Sequence, residues 1–344
     1  MRKNIFIISL CVLFLFVVGC QEKEDTSNNE AEQNNTTNND EANNENSNGT
    51  ANDEAETPED FPVTIEIGDQ SVDIAEKPEH ILPLSLDVAE IVLELVDPSK
   101  VVAVTEGVED PQLSTQTDKA DEIPNRVSSA VNIDPEEILS FDTDLLLLTE
   151  VHGQEADANT ILSETDIPII TFDAMLTVDD LLENIATIGK AIGEEAKATD
   201  LVETMTSDIE TIQSQIPEDA DAPTVLVLSE VGPGTGPFMM GPSNISYDLI
   251  KLAGAEPAVD DIDLESSSPA SIEQVMKMDP DYIFLLDFVG EGDDVFTDLM
   301  ENPGWDSLEA IKNDHVKVLD VKYLMNPNVD VIEGLEIMVD WIYE

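Results

Sequence analysis

Two stretches decide the fold: PEEILSFDTDLLLL at residues 135–148 and IEQVMKMDPDYIFL at residues 272–285. Set side by side, they pair Glu136 with Glu273, Ile138 with Val275, Phe141 with Met278, Asp142 with Asp279, and Asp144 with Asp281. Ile138, Leu139 and Phe141 suit one face of a short helix; an Asp-containing turn follows, then an apolar run, LLLL or YIFLL. Such a run is the signature of a strand in a parallel sheet covered on both faces. Paired Asp142 and Asp144 have the residue types for acid and base work, but their place in a turn entering a buried strand favours a structural role.

The surroundings of the two copies also match. HILPLS (80–85) and TVLVLS (224–229) read as short strands, each followed by a helix, DVAEIVLELV in the first half and SYDLIKLAGA in the second. VVAVT, PIITF and VKVLDV read as further strands. Strands alternating with helices, twice over, predict two α/β lobes. Between them, Leu201, Met205, Ile209, Ile212 and Ile216 form one helical stripe. A helix over residues 194–216 is about 35 Å long, enough to brace both lobes. No glycine-rich hinge interrupts it, which predicts small opening and closing motions.

Arg2 and Lys3 precede an apolar run from Ile5 to Val18, then Gly19 and Cys20: a secretory signal too short to span a bilayer comfortably. VVGC resembles the bacterial lipobox, which makes Cys20 the expected lipid anchor. Cys11 falls in the removed segment, so disulfides, thiolate catalysis and cysteine metal clusters are excluded. Residues 21–60, rich in Asn, Glu and Asp, cannot bury enough surface to offset their ordering and read as a disordered tether. The expected organisation is signal peptide 1–19, lipidated cysteine and tether 20–60, N-terminal lobe 61–173, connecting helix region 174–217 and C-terminal lobe 218–344. The protein is expected outside the cytosol, held at the membrane by its lipid alone, on a Gram-positive surface.

Acidic residues number 76 against 14 Lys and Arg, a formal charge of −62. Nucleic acid and anionic lipid surfaces are therefore excluded as partners, because phosphate is repelled. The excess continues into the folded body and reads as adaptation to a saline medium, where screening tolerates dense carboxylates.

The order HILPLSLDVAEIVLELV, IDPEEILSFDTDLLLL, IGKAIGEEAKATDLVE, YDLIKLAGAEPAV, SIEQVMKMDPDYIFLL and NPGWDSLEAIKNDHVKVLDV resembles the solute-binding lipoproteins of iron-siderophore, haem and cobalamin ABC importers, from Val63 to the C-terminus. The resemblance implies two Rossmann-like α/β lobes joined by one long rigid helix, the class III periplasmic-binding-protein arrangement, with a ligand cleft between the lobes. It also implies delivery to an ABC permease and its ATPase by a monomer, each lobe offering an acid to permease arginines. In the first lobe that acid corresponds to Glu90. In the second, Lys251 stands before LAGA, and nearby Glu256 is the substitute.

Clefts of this kind are lined by strand ends and the loops that follow them. The first lobe offers Ser85 and Asp87, Arg126 and Ser128, and Thr149 and His152. The second offers Phe238, Met239 and Met240, then Asp287 and Phe288, with Trp305 and Tyr323. Anionic ferric catecholates need clustered Arg and Lys, yet Arg126 is the sole arginine after the signal peptide. Neutral or cationic chelates are favoured, ferric hydroxamates first, with a corrinoid or haem receptor as alternatives. The places of the haem branch's Met and His are held by Val131 and Phe288, although His152 and Met240 remain as substitutes. His80 and His315 sit at strand edges and read as structural; no resident metal or cofactor is expected.

No nucleophile elbow, phosphate loop, zinc-spaced histidine pair or CxxC occurs, so an enzyme is not expected. A non-transport surface or sensor lipoprotein is the remaining alternative. The saline reading predicts that raising NaCl from about 0.1 M to about 1 M, which shortens the Debye length from ~10 Å to ~3 Å, raises the Tm measured by calorimetry. A salt-independent Tm removes it.

Overall fold

The computed structural model describes residues 61–127, 135–150, 165–232 and 234–343. The first lobe opens with an antiparallel hairpin of β1 (Val63–Ile67) and β2 (Gln70–Ile74). Then come β3 (Ile81–Pro83), β4 (Val104–Thr105), β5 (Arg126–Val127), β6 (Leu145–Glu150) and β7 (Ile169–Asp173). β3, β6 and β7 pair in parallel, β4 pairs β5 in parallel, and a bridge from Ile81 to Val101 sets that second pair beside β3. The Gln70 amide donates to the Thr171 carbonyl at 2.8 Å and accepts from the Thr171 N–H at 3.3 Å, so the hairpin covers the free edge of β7. The described α-helices of more than four residues in this half are α1 (Leu86–Leu95) and the short α2 (Pro135–Leu139). Two longer helices follow, α3 (Val178–Ile192) and α4 (Glu195–Gln213).

The second lobe contains β8 (Thr224–Ser229), β9 (Phe238–Met239), β10 (Glu256–Pro257), β11 (Ser268–Pro269), β12 (Tyr282–Asp287) and β13 (Val316–Asp320). Its α-helices of more than four residues are α5 (Ser246–Leu252), α6 (Ile272–Met278) and α7 (Val331–Tyr343). Strand order is β11-β9-β8-β12-β13, with β10 also pairing β8. β8, β12 and β13 are parallel, as the apolar runs predict. β9 departs from expectation: Phe238 and Met239 form a strand antiparallel to the end of β8, opposite Ser229 and Leu228, where a Gly- and Pro-rich loop is predicted.

Alternation along the central strands explains why they are apolar throughout. Leu145 and Leu147 enter the core that faces the long helices, whereas Leu146 and Leu148 enter a second cluster on the other face. In the second lobe Phe284 and Leu286 join the first core, and Ile283 and Leu285 join a cluster with Trp305. Both sheets are therefore covered on both sides.

α3 begins with a capping box between Thr177 and Asp180 and ends at Gly193, whose φ of 70° is the left-handed conformation that closes a helix. α4 then runs for 19 residues. Near its start the Lys197 ammonium donates to the Leu95 carbonyl of α1 at 3.2 Å; near its end the Gln213 amide donates to the Leu252 carbonyl of α5 at 3.0 Å. Those two side chains are about 24 Å apart along the axis. One helix thus touches both lobes, and α7 packs alongside it.

The repeated clause has one mechanical job in each lobe. Asp279 caps α6 with φ of 44°, and Asp142, in the turn three residues past α2, takes φ of 58°, a conformation that Asp tolerates better than most residues. Two residues later, the Asp144 carboxylate accepts the N–H groups of Glu79 and His80 at 2.8 and 3.0 Å, at the entrance to β3. Asp281 does the same at β8, accepting the Thr224 N–H at 2.8 Å and its hydroxyl at 2.9 Å. Backbone bonds from Asp144 to His80 and from Asp281 to Thr224, each 3.0 Å, complete the clasp. Replacing either Asp144 or Asp281 by Ala is expected to cost about 1–2 kcal/mol in urea unfolding. An unchanged midpoint in both variants contradicts the clasp.

Candidate functional site

The 110–116 segment that follows β4 touches residues 320–326 at and after the end of β13, which brings the carboxyl ends of the two parallel sheets to face one another. In the first lobe the strand order turns about β3 and β6, and in the second about β8 and β12. Loops leaving such neighbours diverge and open a binding crevice at the carboxyl ends of the strands. The residues at those ends are Ser85, Asp87 and Thr149 on one side, and Ser229, Glu230, Asp287, Phe288, Asp320 and Tyr323 on the other.

On the first side the groups hold one another. The Thr149 N–H donates to the Ser85 hydroxyl at 3.0 Å, and the Thr149 hydroxyl donates to Asp87 at 2.8 Å. The other Asp87 oxygen accepts the Val88 N–H at 2.9 Å. Burial raises the Asp87 carboxyl above its ordinary range, with its hydrogen bonds opposing the rise. Thr149 is fully buried, so it positions Asp87 rather than meeting a ligand itself.

Across the crevice, Asp287 accepts four backbone N–H groups, from Val289, Gly290, Glu291 and Gly292, at 2.7–3.2 Å. Gly290 and Gly292 have φ of 77° and 71°, which lets the loop wrap that carboxylate. Asp287 therefore shapes the loop that carries half-buried Phe288. Asp320 is raised mainly by burial, with the charges of Asp287 and, from the other lobe, Asp110 adding to the rise and Lys322 opposing it. Beside it, the half-buried Tyr323 phenol is also raised, first by burial and then by Glu333.

The lobes are bridged at the crevice by the 110–116 segment. Its Gln112 carbonyl accepts the Lys322 N–H at 2.9 Å, and its Leu113 carbonyl accepts the Asn326 amide at 3.0 Å. Behind this segment stands Glu90. Its carboxylate accepts the hydroxyls of Ser114 and Thr115 and the Thr115 N–H, the last at 3.0 Å. Burial raises the Glu90 carboxyl; these bonds oppose the rise, and Asp330 adds to it.

Several expectations are corrected by this geometry. Glu90 is 2% exposed and engaged inside the protein, so it has no surface to offer a permease. Glu256 is exposed, but β10 pairs with Thr224 at the start of β8, the end away from the crevice. Arg126 is spent on Glu109 and the carbonyls of Ala120, Ile123 and Asn125. Met239 and Met240 are core residues at 0% and 2% exposure, and Trp305 at 4% is buried in the second lobe. Ser85, Asp87, Phe238, Phe288 and Tyr323 are partly accessible; Cys20, Ser128, Val131 and His152 lie outside the described residues. His80 and His315 lie at strand entrances, His315 stacked on Tyr282 at 4.2 Å. Sequence reasoning missed Glu230 and Asp320, which the strand-end rule reaches, and Gln112 and Asn326, whose bridging has no local signature.

Among the described residues no group of three or more His, Cys, Asp or Glu is arranged to hold a metal ion, and no helix is long and apolar enough to cross a membrane. Two α/β lobes, a bracing helix and a crevice at apposed strand ends define a bilobal solute receptor. The chain belongs to the periplasmic binding protein family, which matches residues 81–323 and comprises solute-binding proteins rather than enzymes. An ABC transporter substrate-binding lipoprotein of Bacillus subtilis, YvrC, is 26% identical over 284 residues, covering 82% of this chain and 86% of that one. A cobalamin-binding protein of Halobacterium salinarum is 28% identical over 228 residues, covering 65% of this chain and 58% of its own. Among solved structures, that of an ABC-type Fe3+-hydroxamate transport system from Saccharomonospora viridis aligns with a TM-score of 0.65 at 21% identity, covering 83% of this chain and 100% of that one.

Because the Glu90 carboxyl is raised, its contribution to stability is fully present below the unfolded value of about 4.3. It is lost as pH rises through the higher folded value. Glu90→Gln is therefore expected to flatten the fall in Tm between about pH 5 and about pH 7.5. Glu90→Ala leaves buried donors without an acceptor and is expected to lose about 2 kcal/mol at either pH. An identical pH profile in wild type and Glu90→Gln contradicts the assignment.

Proposed function

We propose that the protein is the extracytoplasmic substrate-binding lipoprotein of an ABC importer for a neutral or cationic metal chelate, a ferric hydroxamate first among them. The crevice carries the reading. Asp110 and Asp320 feel one another there from the two lobes, Asp87 stands at a strand end of the first, and the guanidinium of Arg126 is already committed to protein oxygens. Lys322 beside Asp320 offsets part of this acidity, yet an anionic catecholate is still less welcome in such a place than a cationic or neutral chelate. The fold neighbour named for hydroxamate transport supports this choice. A corrinoid is the second reading, favoured by the likeness to the halobacterial cobalamin-binding protein. Phe288 and Tyr323 supply aromatic contact area for either ligand.

Anchoring is assigned to a lipid on Cys20, and the working form to a monomer on a Gram-positive surface that hands its ligand to a permease and ATPase. For docking, Glu136 and Glu273 replace Glu90 and Glu256. They are exposed, occupy the same place in the repeat, and stand in the first turns of α2 and α6. Each of these helices runs antiparallel to the strand it feeds, so its first turn lies at the crevice end of its lobe.

Calorimetric titration is the appropriate test, because Trp305 is buried in the core and Trp341, on α7, packs against Tyr282 and Phe284 of β12. Ferrioxamine B, ferric enterobactin, haem and cyanocobalamin are to be compared. Submicromolar binding is expected for ferrioxamine, or for the corrinoid under the second reading, and none for enterobactin. Tight enterobactin binding would falsify the charge argument.

A further inference from the structure

The contact between the lobes at the crevice is built from both sides. On the first lobe, Glu90 takes the hydroxyls of Ser114 and Thr115, and the buried Gln116 amide donates to Glu94 at 2.8 Å, so residues 114–116 are clamped onto α1. This fixes where the neighbouring Leu113 carbonyl points. On the second lobe, Asn328 is 1% exposed; its amide donates to the carbonyls of Lys322 and Asn326 at 3.0 and 2.9 Å, and its oxygen accepts the Asp330 N–H at 2.7 Å. Those bonds fold the chain so that the Asn326 amide reaches Leu113 at 3.0 Å. A buried Glu in one lobe and a buried Asn in the other serve the same contact. The charges around it pull the other way. Asp330 acts on Glu90, Glu94 on Asp330 and Asp110 on Asp320, like charges facing across the lobes, and Lys322 offsets only part of that repulsion. Neutral hydrogen bonds therefore hold surfaces that otherwise repel, so breaking them favours opening. The contact also reaches the ligand's side of the crevice: a Cβ at Gly290 would stand 3.4 Å from the Gln112 amide, and Gly290 belongs to the loop that wraps Asp287 and carries Phe288.

We propose that the 110–116 segment is a latch, with Asn326 as its catch, that holds the lobes together and sets how fast a bound molecule leaves the crevice. Glu90 and Asn328 are its positioning residues. Its effect on ligand departure rests on the transport reading above; its hold on the lobes does not. Lys322 reports on the latch directly. It is the second residue of the helical turn Val321–Leu324, where an N–H has no partner within the helix, and the Gln112 carbonyl of the other lobe is what covers it. Separation of the lobes therefore bares that N–H while the sheets stay folded.

The test compares the full chain with its Asn326→Ala variant. Without ligand, amide hydrogen exchange followed by NMR is expected to be about fivefold faster at Lys322 in the variant, the weight of one hydrogen bond in an equilibrium. The Leu285 amide, in the buried β12, should exchange at the wild-type rate, which separates opening of the lobes from general unfolding. Dissociation of ferrioxamine B and of cyanocobalamin, measured by surface plasmon resonance, should quicken by a similar factor. Equal Lys322 exchange in the two proteins overturns the proposal. So does equal acceleration at Leu285, which assigns the loss to the whole fold, and so does faster Lys322 exchange with unchanged dissociation of a chelate that binds. If the wild type binds neither chelate, the transport reading falls for these ligands, and Lys322 exchange alone decides whether the latch holds the lobes.

Discussion

Everything at the crevice follows from how two carboxylates hold the entrances of two strands. Asp144 and Asp281 lie at the far ends of β6 and β12, where they accept donors from the residues that open β3 and β8. A parallel pair locked in register at one end is in register at the other. The clasp therefore sets Ser85 beside Thr149, and in the second lobe it sets Ser229 beside Leu286 one residue short of Asp287. Weak side-chain contacts at the crevice inherit their positions from strong ones at the base.

The lobes are joined by more than the chain that links them. α4 is bonded to α1 near one end and to α5 near the other, and the largest core cluster runs from Leu145 and Phe172 through Met205 and Ile212 to Phe284 and Leu335. The Val178 N–H donates to Asp248 of α5 at 2.9 Å, and the Gln112 and Leu113 carbonyls receive donors from the second lobe. Separating the lobes disturbs packed apolar surface and these bonds together. Modest rocking about α4 is the motion this arrangement favours.

Much of this was legible because two periods dominate the sequence. LLLL and YIFLL are apolar at every residue because β6 and β12 bury both faces, and the stripe from Leu201 to Ile216 marks the helix that touches both lobes. Glu90 was read as an acid offered to a permease, although DVAEIVLELV carries the correction: a helix apolar nearly all round is an interior helix. Val88, Ala89, Ile91, Val92, Leu93 and Leu95 are all buried beside it. Arg126 and Met239 were not legible in the same way. Arginine's partners are carbonyls of a preceding turn, and Met239 is buried by pairing with β8 despite the glycines and prolines around it. Both outcomes depend on tertiary contacts that no local pattern encodes.

The hairpin of β1 and β2 has a mechanical meaning. It is fastened to β7 through Gln70, and just after it Lys77 reaches the Gly193 carbonyl at 2.6 Å and Glu194 at 2.9 Å, at the junction of α3 and α4. A pull on the N-terminal side of Phe61 enters β1 first and passes to the sheet edge and that helical junction. Force applied there is borne by an edge hairpin and a helix joint, and Ser85 and Thr149 lie outside that route.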